Sequence, residues 1–291
     1  MKRVFFLLLL LAAIGGGTGV FAKIALREIP PFSFTALRFL LTTLVLFLWN
    51  FRYRSGRSAS YPRAAYLIPL LLTGNIVLFA FGIRWTGATT SQIIYTAAPI
   101  IIAIFSWRFL SQRITGKIAL GILVGLIGVV IAIVPGSAGT TVSVFGPIFI
   151  GGAVISFSLY SVFSKRYLNN TPPRDIVFIF SWMTALITTA LAISDVWQYP
   201  YWWRHVSVEA IAGLSFVGLF GTILYYILHQ LILQKASPTA ASMTLMLQPF
   251  TAFLLASLFL GERMTLPLFL GMILTIAGAW LVTRQSRIAP L

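Results

Sequence analysis

The sequence predicts an all-α membrane protein of ten transmembrane helices, arranged as two inverted five-helix repeats. Hydrophobic residues make up 59% of the 291 positions and charged residues only 9%, which is too little charge to cover a water-soluble globule of this length. Nearly the whole chain divides into apolar runs long enough to cross a hydrocarbon core of about 30 Å. The third observation is a set of landmarks that recurs between the two halves of the chain.

The ten spans are bounded by proline, glycine and charged residues at the ends of apolar windows. The first span follows Lys2 and Arg3 and resembles a signal peptide. It has a counterpart later in the chain, however, so we expect it to be retained. The predicted spans are 4–23, 33–51, 65–84, 89–108, 117–134, 145–164, 175–193, 209–232, 238–260 and 266–284.

Two sets of residues reveal the repeat. Lys23 followed by Pro30-Pro31 returns as Lys165 followed by Pro172-Pro173. A second set recurs at one constant offset and pairs Thr89, Pro99, Phe109, Leu110, Arg113, Thr115, Leu120, Gly121 and Gly128 with identical residues at Thr239, Pro249, Phe259, Leu260, Arg263, Thr265, Leu270, Gly271 and Gly278.

An odd number of spans in each half places the two copies in opposite orientations, as in the inverted repeats of many secondary transporters. The predicted units are residues 1–136 and 143–285, followed by a short cytoplasmic tail at 286–291. Inverted repeats of this kind place a shared site near the middle of the membrane, where one half can rock against the other.

The basic residues predict the orientation. The net charge of +16 comes from 21 Lys and Arg against 5 Asp and Glu. These cations lie in short loops, so we expect membrane lipid, and no nucleic acid, as their partner. With the N-terminus inside, 15 of the 21 fall in inner loops and 5 in outer loops. This bias predicts that both termini are cytoplasmic, in an integral protein of a bacterial-type inner membrane.

The run Phe259-Leu260-Gly261-Glu262-Arg263-Met264-Thr265, after a helix containing Gln248-Pro249, resembles the signature of the EamA family of the drug/metabolite transporter superfamily. The first half carries a degraded copy, with Ser111-Gln112 in place of Gly-Glu, and the family-like Leu37-Arg38-Phe39. The resemblance covers about residues 4 to 285. It implies a ten-helix exporter-type carrier without a cofactor, with its substrate path between the halves, its fifth and tenth helices outside, and amino acids and related metabolites as usual substrates.

Polar side chains inside the spans are the candidates for a substrate pathway, because a polar group in hydrocarbon is costly unless it is paired or wetted. The spacing predicts that Gln92, Tyr95 and Pro99 share one helix face; alternatively, Tyr95 packs against a neighbour and Pro99 only kinks the helix. The pathway candidates are Asn75, Trp85, Gln92, Tyr95, Pro99, Tyr160, Trp182, Tyr225, His229, Gln248 and Pro249.

Three of the intramembrane residues each have two interpretations. Asn75 corresponds to Tyr225 in the repeat and either contacts a ligand or joins two helices. His229 either carries a proton or is a satisfied hydrogen-bonding residue. Arg38 either attracts a substrate carboxylate or extends outward and anchors its helix at the membrane surface.

The predicted function is a secondary transporter or facilitator that moves small metabolites, with export of aromatic or branched amino acids by alternating access as the specific expectation. An enzyme would need converging catalytic groups, but the 5 carboxylates fall in loops or at span ends and there are only 2 histidines. No enzyme activity, metal or cofactor is therefore expected. A non-transporting receptor or structural protein is the alternative. Glycine motifs such as Gly121-xxx-Gly125 permit a homodimer without requiring one.

Overall fold

The computed structural model describes residues 2–52, 63–111, 115–132, 144–235 and 238–285. Within these ranges the chain is helical and no β-strand occurs. Three short segments depart from α-helical geometry: 3₁₀ turns at Trp202–His205 and Ser242–Met246, and a π-helical segment at Leu219–Leu224. The α-helices are α1 (Lys2–Ala25), α2 (Pro31–Arg52), α3 (Ala64–Arg84), α4 (Ala88–Tyr95), α5 (Ala98–Leu110), α6 (Gly116–Ala132), α7 (Phe145–Tyr167), α8 (Pro173–Gln198), α9 (Val208–Gly218), α10 (Tyr225–Lys235), α11 (Pro238–Ala241), α12 (Gln248–Leu260) and α13 (Leu266–Gln285).

Six helical segments of the described chain are long and apolar enough to cross a membrane, and four shorter apolar helices lie at the remaining predicted positions. The six segments include α4 with α5, and α9 with α10. The shorter four are 10–25, 116–132, 244–260 and 266–282. Length and composition therefore support six spans, and the full count of ten stays a prediction.

Helix packing follows one pattern in the two halves, α1–α6 and α7–α13. Helix α3 packs against α7, while α9 packs against α1; α5 packs against α7, while α12 packs against α1. Helix α2 packs against α8, and α6 against α13. If α1 corresponds to α7, α3 to α9 and α5 to α12, exchanging the halves leaves this set of contacts unchanged. Such a pattern is expected for two similar units that face each other.

Helices α6 and α13 approach each other closely because glycines line both. A Cβ atom at Gly121 would lie 2.7 Å from the carbonyl oxygen of Gly278, and one at Gly278 would overlap the backbone of Gly125. The small-residue faces of the predicted fifth and tenth spans are thus packed together within one chain. The homodimer that these faces suggested stays a prediction.

Large apolar side chains cover the outside of the bundle. Leu186 on α8 is 66% exposed and Leu258 on α12 is 78% exposed. Leu44 and Leu123 are likewise exposed. An apolar exterior of this extent marks a surface that contacts lipid, because soluble monomers rarely expose large contiguous apolar patches.

The fourth and ninth predicted spans are broken helices. Helix α4 ends at Tyr95, and α5 begins with Pro99 in its first turn. In the second half the 3₁₀ segment Ser242–Met246 precedes α12, which has Pro249 in its first turn. A proline fits the first turn of a helix, where no backbone donor is needed. The predicted kinks are therefore breaks, so Gln92 and Pro99 lie on separate helices instead of sharing one continuous face.

Candidate functional site

A cavity lies between the two halves, about midway along the helices that surround it. Its volume is about 60 Å³, well above the roughly 10–15 Å³ that a cavity needs to hold one water molecule. Both halves contribute to its walls. The lining includes Gly15, Thr18, Arg38, Asn75, Phe79, Gln92 and Tyr95 from the first half, and Phe157, Gly221, Tyr225, Tyr226, Leu245 and Gln248 from the second.

Each half supplies one amide–phenol pair to this cavity. Asn75 Nδ2 donates to Tyr95 Oη at 2.5 Å, and also to the carbonyl oxygen of Ala153 on α7 at 2.8 Å. In the second half, Gln248 Nε2 donates to Tyr225 Oη at 3.1 Å. Asn75 therefore joins two helices and lines the cavity at the same time, so its two interpretations are compatible.

Gln92 adds an amide without a protein partner. Its side chain is only 3% exposed and lines the cavity from α4. Its Oε1 atom is buried without a hydrogen-bond partner in the described part of the chain. A buried polar atom without a partner is energetically costly, so this oxygen is an acceptor that a bound molecule or water can satisfy.

Arg38 lies inside the bundle and holds the π-helical segment of the opposite half. Its Nε donates to Thr222 Oγ1 at 2.7 Å, and its Nη2 lies 3.5 Å from the carbonyl oxygen of Gly221. Thr42, one turn further along α2, donates to the carbonyl oxygen of Gly218 at 3.0 Å. Since Arg38 is only 2% exposed, its guanidinium does not extend to the membrane surface as the anchoring alternative required. Single π turns that interrupt α-helices are frequently found at functional sites.

His229 lies behind the cavity wall. Its ring stacks on Tyr225 with an interplanar angle of 3° and a centroid separation of 6.1 Å. The centroid of the Phe157 ring lies 5.2 Å from the centroid of the His229 ring. His229 Nε2 is buried without a partner among the described residues, so the expectation of a satisfied histidine does not describe this atom.

The remaining predicted residues lie apart from the cavity. Tyr160 Oη donates to Gln230 Oε1 at 3.2 Å and belongs to a buried network with Ser164. Trp85 is 42% exposed and Trp182 is 37% exposed, at the outer surface of the bundle. Pro99 and Pro249 are buried at the two helix breaks.

Two carboxylates connect the halves at one end of the bundle. Glu28, after α1, accepts from the backbone N–H of Ser207 at 2.6 Å, and Ser207 caps α9. Asp195, in the last turn of α8, accepts from the backbone N–H of Ser33 in the first turn of α2 at 2.6 Å. Each carboxylate thus satisfies a helix N-terminus of the other half, where the helix dipole favours negative charge.

Glu262 makes a third contact of this kind, and it explains the Phe-Leu-Gly-Glu motif. Gly261 ends α12 in the left-handed conformation, with φ of 68°, which glycine adopts without steric cost. The chain then directs Glu262 at α4, where its oxygens accept from the N–H groups of Ala88 at 2.6 Å and Thr89 at 3.1 Å. Lys23 Nζ lies 4.0 Å from Glu262 Oε1. We refer to the end of the bundle with Glu28, Asp195 and Glu262 as the carboxylate face.

Some of the predicted features cannot be placed. Gln112 and Arg113 of the degraded motif, the tail 286–291, and basic residues such as Arg54 and Arg57 from the orientation count lie outside the described residues. Among the residues that are described, no group of three or more His, Asp or Glu side chains is placed to hold a metal ion.

Sequence comparisons give similar proteins along the full length of the chain. An uncharacterized transporter of Archaeoglobus fulgidus is 23% identical over 98% of this chain and 99% of its own length. The uncharacterized transporter YwfM of Bacillus subtilis is 26% identical over 98% of this chain and 95% of its own. One solved crystal structure, 19% identical, superposes with a TM-score of 0.69 over 95% of this chain and 97% of its own, which supports the fold.

An all-helical bundle with an apolar exterior, broken helices and a polar cavity between two similar halves has the architecture of an integral membrane transporter. The sequence specifies the family. Residues 2–134 and again residues 144–284 match the EamA-like transporter family. The chain therefore belongs to that family, within the drug/metabolite transporter superfamily, as its motifs predicted.

Proposed function

We propose that this transporter is a secondary carrier or facilitator that exports small metabolites, specifically amino acids with aromatic or branched side chains, by alternating access across a bacterial-type inner membrane. The observation that carries the proposal is the central cavity, whose polar groups come from both halves. A site shared by two halves is exposed alternately to either side when the halves rock against each other.

We further propose ten spans in two inverted units, 1–136 and 143–285, with both termini cytoplasmic. The exchange symmetry of the helix contacts supports this arrangement. The basic residues support the orientation, because 15 of 21 would then lie on the inner side. The carboxylate face would be the outer one.

The character of the cavity wall supports an apolar or aromatic substrate side chain. Phe79, Tyr95, Phe157, Tyr225 and Tyr226 all line the cavity. Aromatic rings prefer offset or edge-to-face contacts with one another and contribute about 0.5–1.5 kcal/mol per pair beyond area burial. A phenyl or branched aliphatic group between these rings would be more favourable than a charged one.

The size of the cavity supports a change of conformation. A volume of about 60 Å³ is too small for a whole aromatic amino acid, since ligand pockets for small molecules are commonly about 300–1,000 Å³. The halves must therefore separate at one face before a substrate enters, as alternating access requires. No metal or cofactor is part of the proposed mechanism.

Counterflow in proteoliposomes tests the proposal. Vesicles containing the purified protein are loaded with one unlabelled solute from a panel of amino acids and related metabolites, and entry of the labelled solute is followed at equal pH on both sides. We expect transient accumulation for aromatic or branched amino acids. Tyr225→Ala should abolish it because the phenol lines the cavity, whereas Trp182→Ala, at the outer surface, should leave it unchanged.

The other outcomes assign different functions. If folded protein gives no counterflow with any solute, the chain does not carry these substrates and the receptor alternative gains support. If counterflow occurs but Tyr225→Ala and Trp182→Ala behave alike, the central cavity is not the path.

A further inference from the structure

Arg38 carries a charge in the middle of the bundle that no Asp or Glu side chain neutralises. All 5 Asp and Glu residues lie in the described part of the sequence. None of them lies within 4.0 Å of the Arg38 guanidinium, since the ion pairs among the described residues join Lys23 to Glu262 and Arg174 to Asp175. A charge taken out of water costs several kcal/mol unless it is paired. The described residues therefore give the Arg38 guanidinium hydrogen bonds but no counter-charge.

The guanidinium also keeps donors available for a ligand. Arginine presents five N–H donors in a rigid plane. Arg38 uses Nε on Thr222 at 2.7 Å, and its Nη2 lies at the long distance of 3.5 Å from the Gly221 carbonyl oxygen. Nη1 makes no hydrogen bond within the described part of the chain, and the side chain lines the cavity. The guanidinium of Arg38 therefore contacts the π-helical segment through Nε and keeps Nη1 available for a ligand.

Gln92 lies on the wall of the same cavity and offers the complementary chemistry. Its buried Oε1 has no partner among the described residues. An amide oxygen accepts from an ammonium group but not from a carboxylate. The cavity therefore presents a cation without a counter-ion and an acceptor without a donor, together with neutral amides and phenols.

We propose that Arg38 binds the carboxylate of the transported solute through Nη1, and that Gln92 Oε1 accepts from its amino group. This inference rests on the proposed transport function and assigns to two residues the recognition of the carboxylate and the amino group that all α-amino acids share. A hydrogen bond between a guanidinium and a carboxylate is roughly twice as strong as one between neutral groups. A phosphate ester is disfavoured because Arg38 is the one cation of the cavity wall that the structure describes, and a dianion would retain an unpaired charge.

The first test compares a series of related solutes on the protein without any amino-acid substitution. Phenylalanine is compared in counterflow with phenylalanine amide, which lacks the carboxylate, with 3-phenylpropanoate, which lacks the amine, and with phenyl phosphate. Leucine and leucine amide form a second matched pair. We expect the amino acids to be carried, the amides to fall at least tenfold in rate at equal concentration, and 3-phenylpropanoate to be carried less well than phenylalanine.

Two variants separate binding from structure. Arg38→Gln should weaken phenylalanine binding at least tenfold, equivalent to about 1.4 kcal/mol, as measured by ligand-dependent thermal stabilisation of the purified protein. Thr222→Val removes the hydrogen bond that Arg38 donates to the π segment and keeps the charge. In this variant the preference for phenylalanine over phenylalanine amide should persist, whereas Arg38→Gln should lose that preference. Gln92→Leu should lower the preference for phenylalanine over 3-phenylpropanoate.

Carriage of the amides or of phenyl phosphate as efficiently as phenylalanine would overturn the assignment of Arg38 while leaving the transport function intact. A preference for phenylalanine over phenylalanine amide that persists in Arg38→Gln would show that Arg38 acts only through the π segment, which also overturns the inference. Absence of counterflow for every member of the series in folded protein would instead overturn the transport function itself.

Discussion

The substitution Glu262→Gln removes a charge and keeps the size and shape of the side chain. We expect it to favour opening of the transporter at the carboxylate face. Glu262 belongs to the second half and caps α4 of the first half, where it accepts from the N–H groups of Ala88 and Thr89. A gate between the halves at the carboxylate face can open only if this contact separates. The substitution therefore destabilises the closed state relative to the open one.

The size of the effect follows from the charged contacts that Glu262 loses. A hydrogen bond to a charged group contributes about 1.5–3 kcal/mol, whereas a neutral one contributes about 1 kcal/mol. Glutamine keeps one acceptor oxygen and presents an amide group to the second backbone N–H. The ion pair with Lys23, at 4.0 Å, is also lost. Because the lysine side chain is 20% exposed, hydration by water offsets part of this loss of free energy. We expect a shift of about 2 kcal/mol, or about 30-fold in the gating equilibrium at 1.4 kcal/mol per tenfold.

Cysteine labelling measures this shift because the chain contains no cysteine. Ile76→Cys places a single thiol at the cavity wall. A membrane-impermeant maleimide, applied separately to spheroplasts and to inverted vesicles, then reports opening at each face. When opening precedes labelling and the open state is rare, the labelling rate is proportional to its population.

We expect Glu262→Gln to raise labelling of Cys at position 76 about 30-fold from the carboxylate face only. Glu209→Gln is the matched control, because Glu209 is exposed in the first turn of α9. Unchanged labelling in a Glu262→Gln protein of normal thermal stability would refute the gating role. An equal rise from both faces, or in the control, would point to general loosening of the bundle.

The other predictions concern stability, measured by thermal unfolding in detergent. Gly278→Ala should lower the unfolding temperature, because its Cβ would overlap the backbone of Gly125. Gly151→Ala is the control: its Cβ would meet open space, so stability should stay equal or rise by up to about 1 kcal/mol. Similar losses in both variants would contradict the close-packing argument. Ser207→Ala removes the cap of α9 and one hydrogen bond to Glu28, so it should cost about 1 kcal/mol, and no loss would show that water replaces the hydroxyl.

The features that could be read from the sequence are those with local signals. The apolar runs, the repeat and the buried polar residues follow from spacing, so Asn75, Gln92 and Tyr225 could be nominated without a structure. The orientation of each helix about its axis depends on its neighbours and not on its own composition. For this reason Trp85 and Trp182, which are aromatic like Tyr95 and Tyr225 of the cavity wall, lie at the outer surface.

The features that could not be read depend on distant partners. The segment Leu219–Leu224 has no composition that favours a π-helix, and its geometry accompanies hydrogen bonds from Arg38 and Thr42, far away in the sequence. Glu262 was recognisable as part of a motif, but its target on α4 is equally remote. Long-range contacts of this kind leave no periodic pattern in the sequence.

The two faces of the transporter are held by different chemistry, although the halves are related. Lys23 and Lys165 occupy equivalent positions, and each donates to a carbonyl oxygen near the end of a neighbouring helix, that of Thr86 or that of Gln234. Of the two lysines, only Lys23 has a carboxylate beside it among the described residues, and the sequence counterpart of Glu262 is the uncharged Gln112. An inverted repeat with identical halves would favour neither face. This difference in charge instead stabilises closure at the carboxylate face, which predicts that the resting transporter opens more readily at the opposite side.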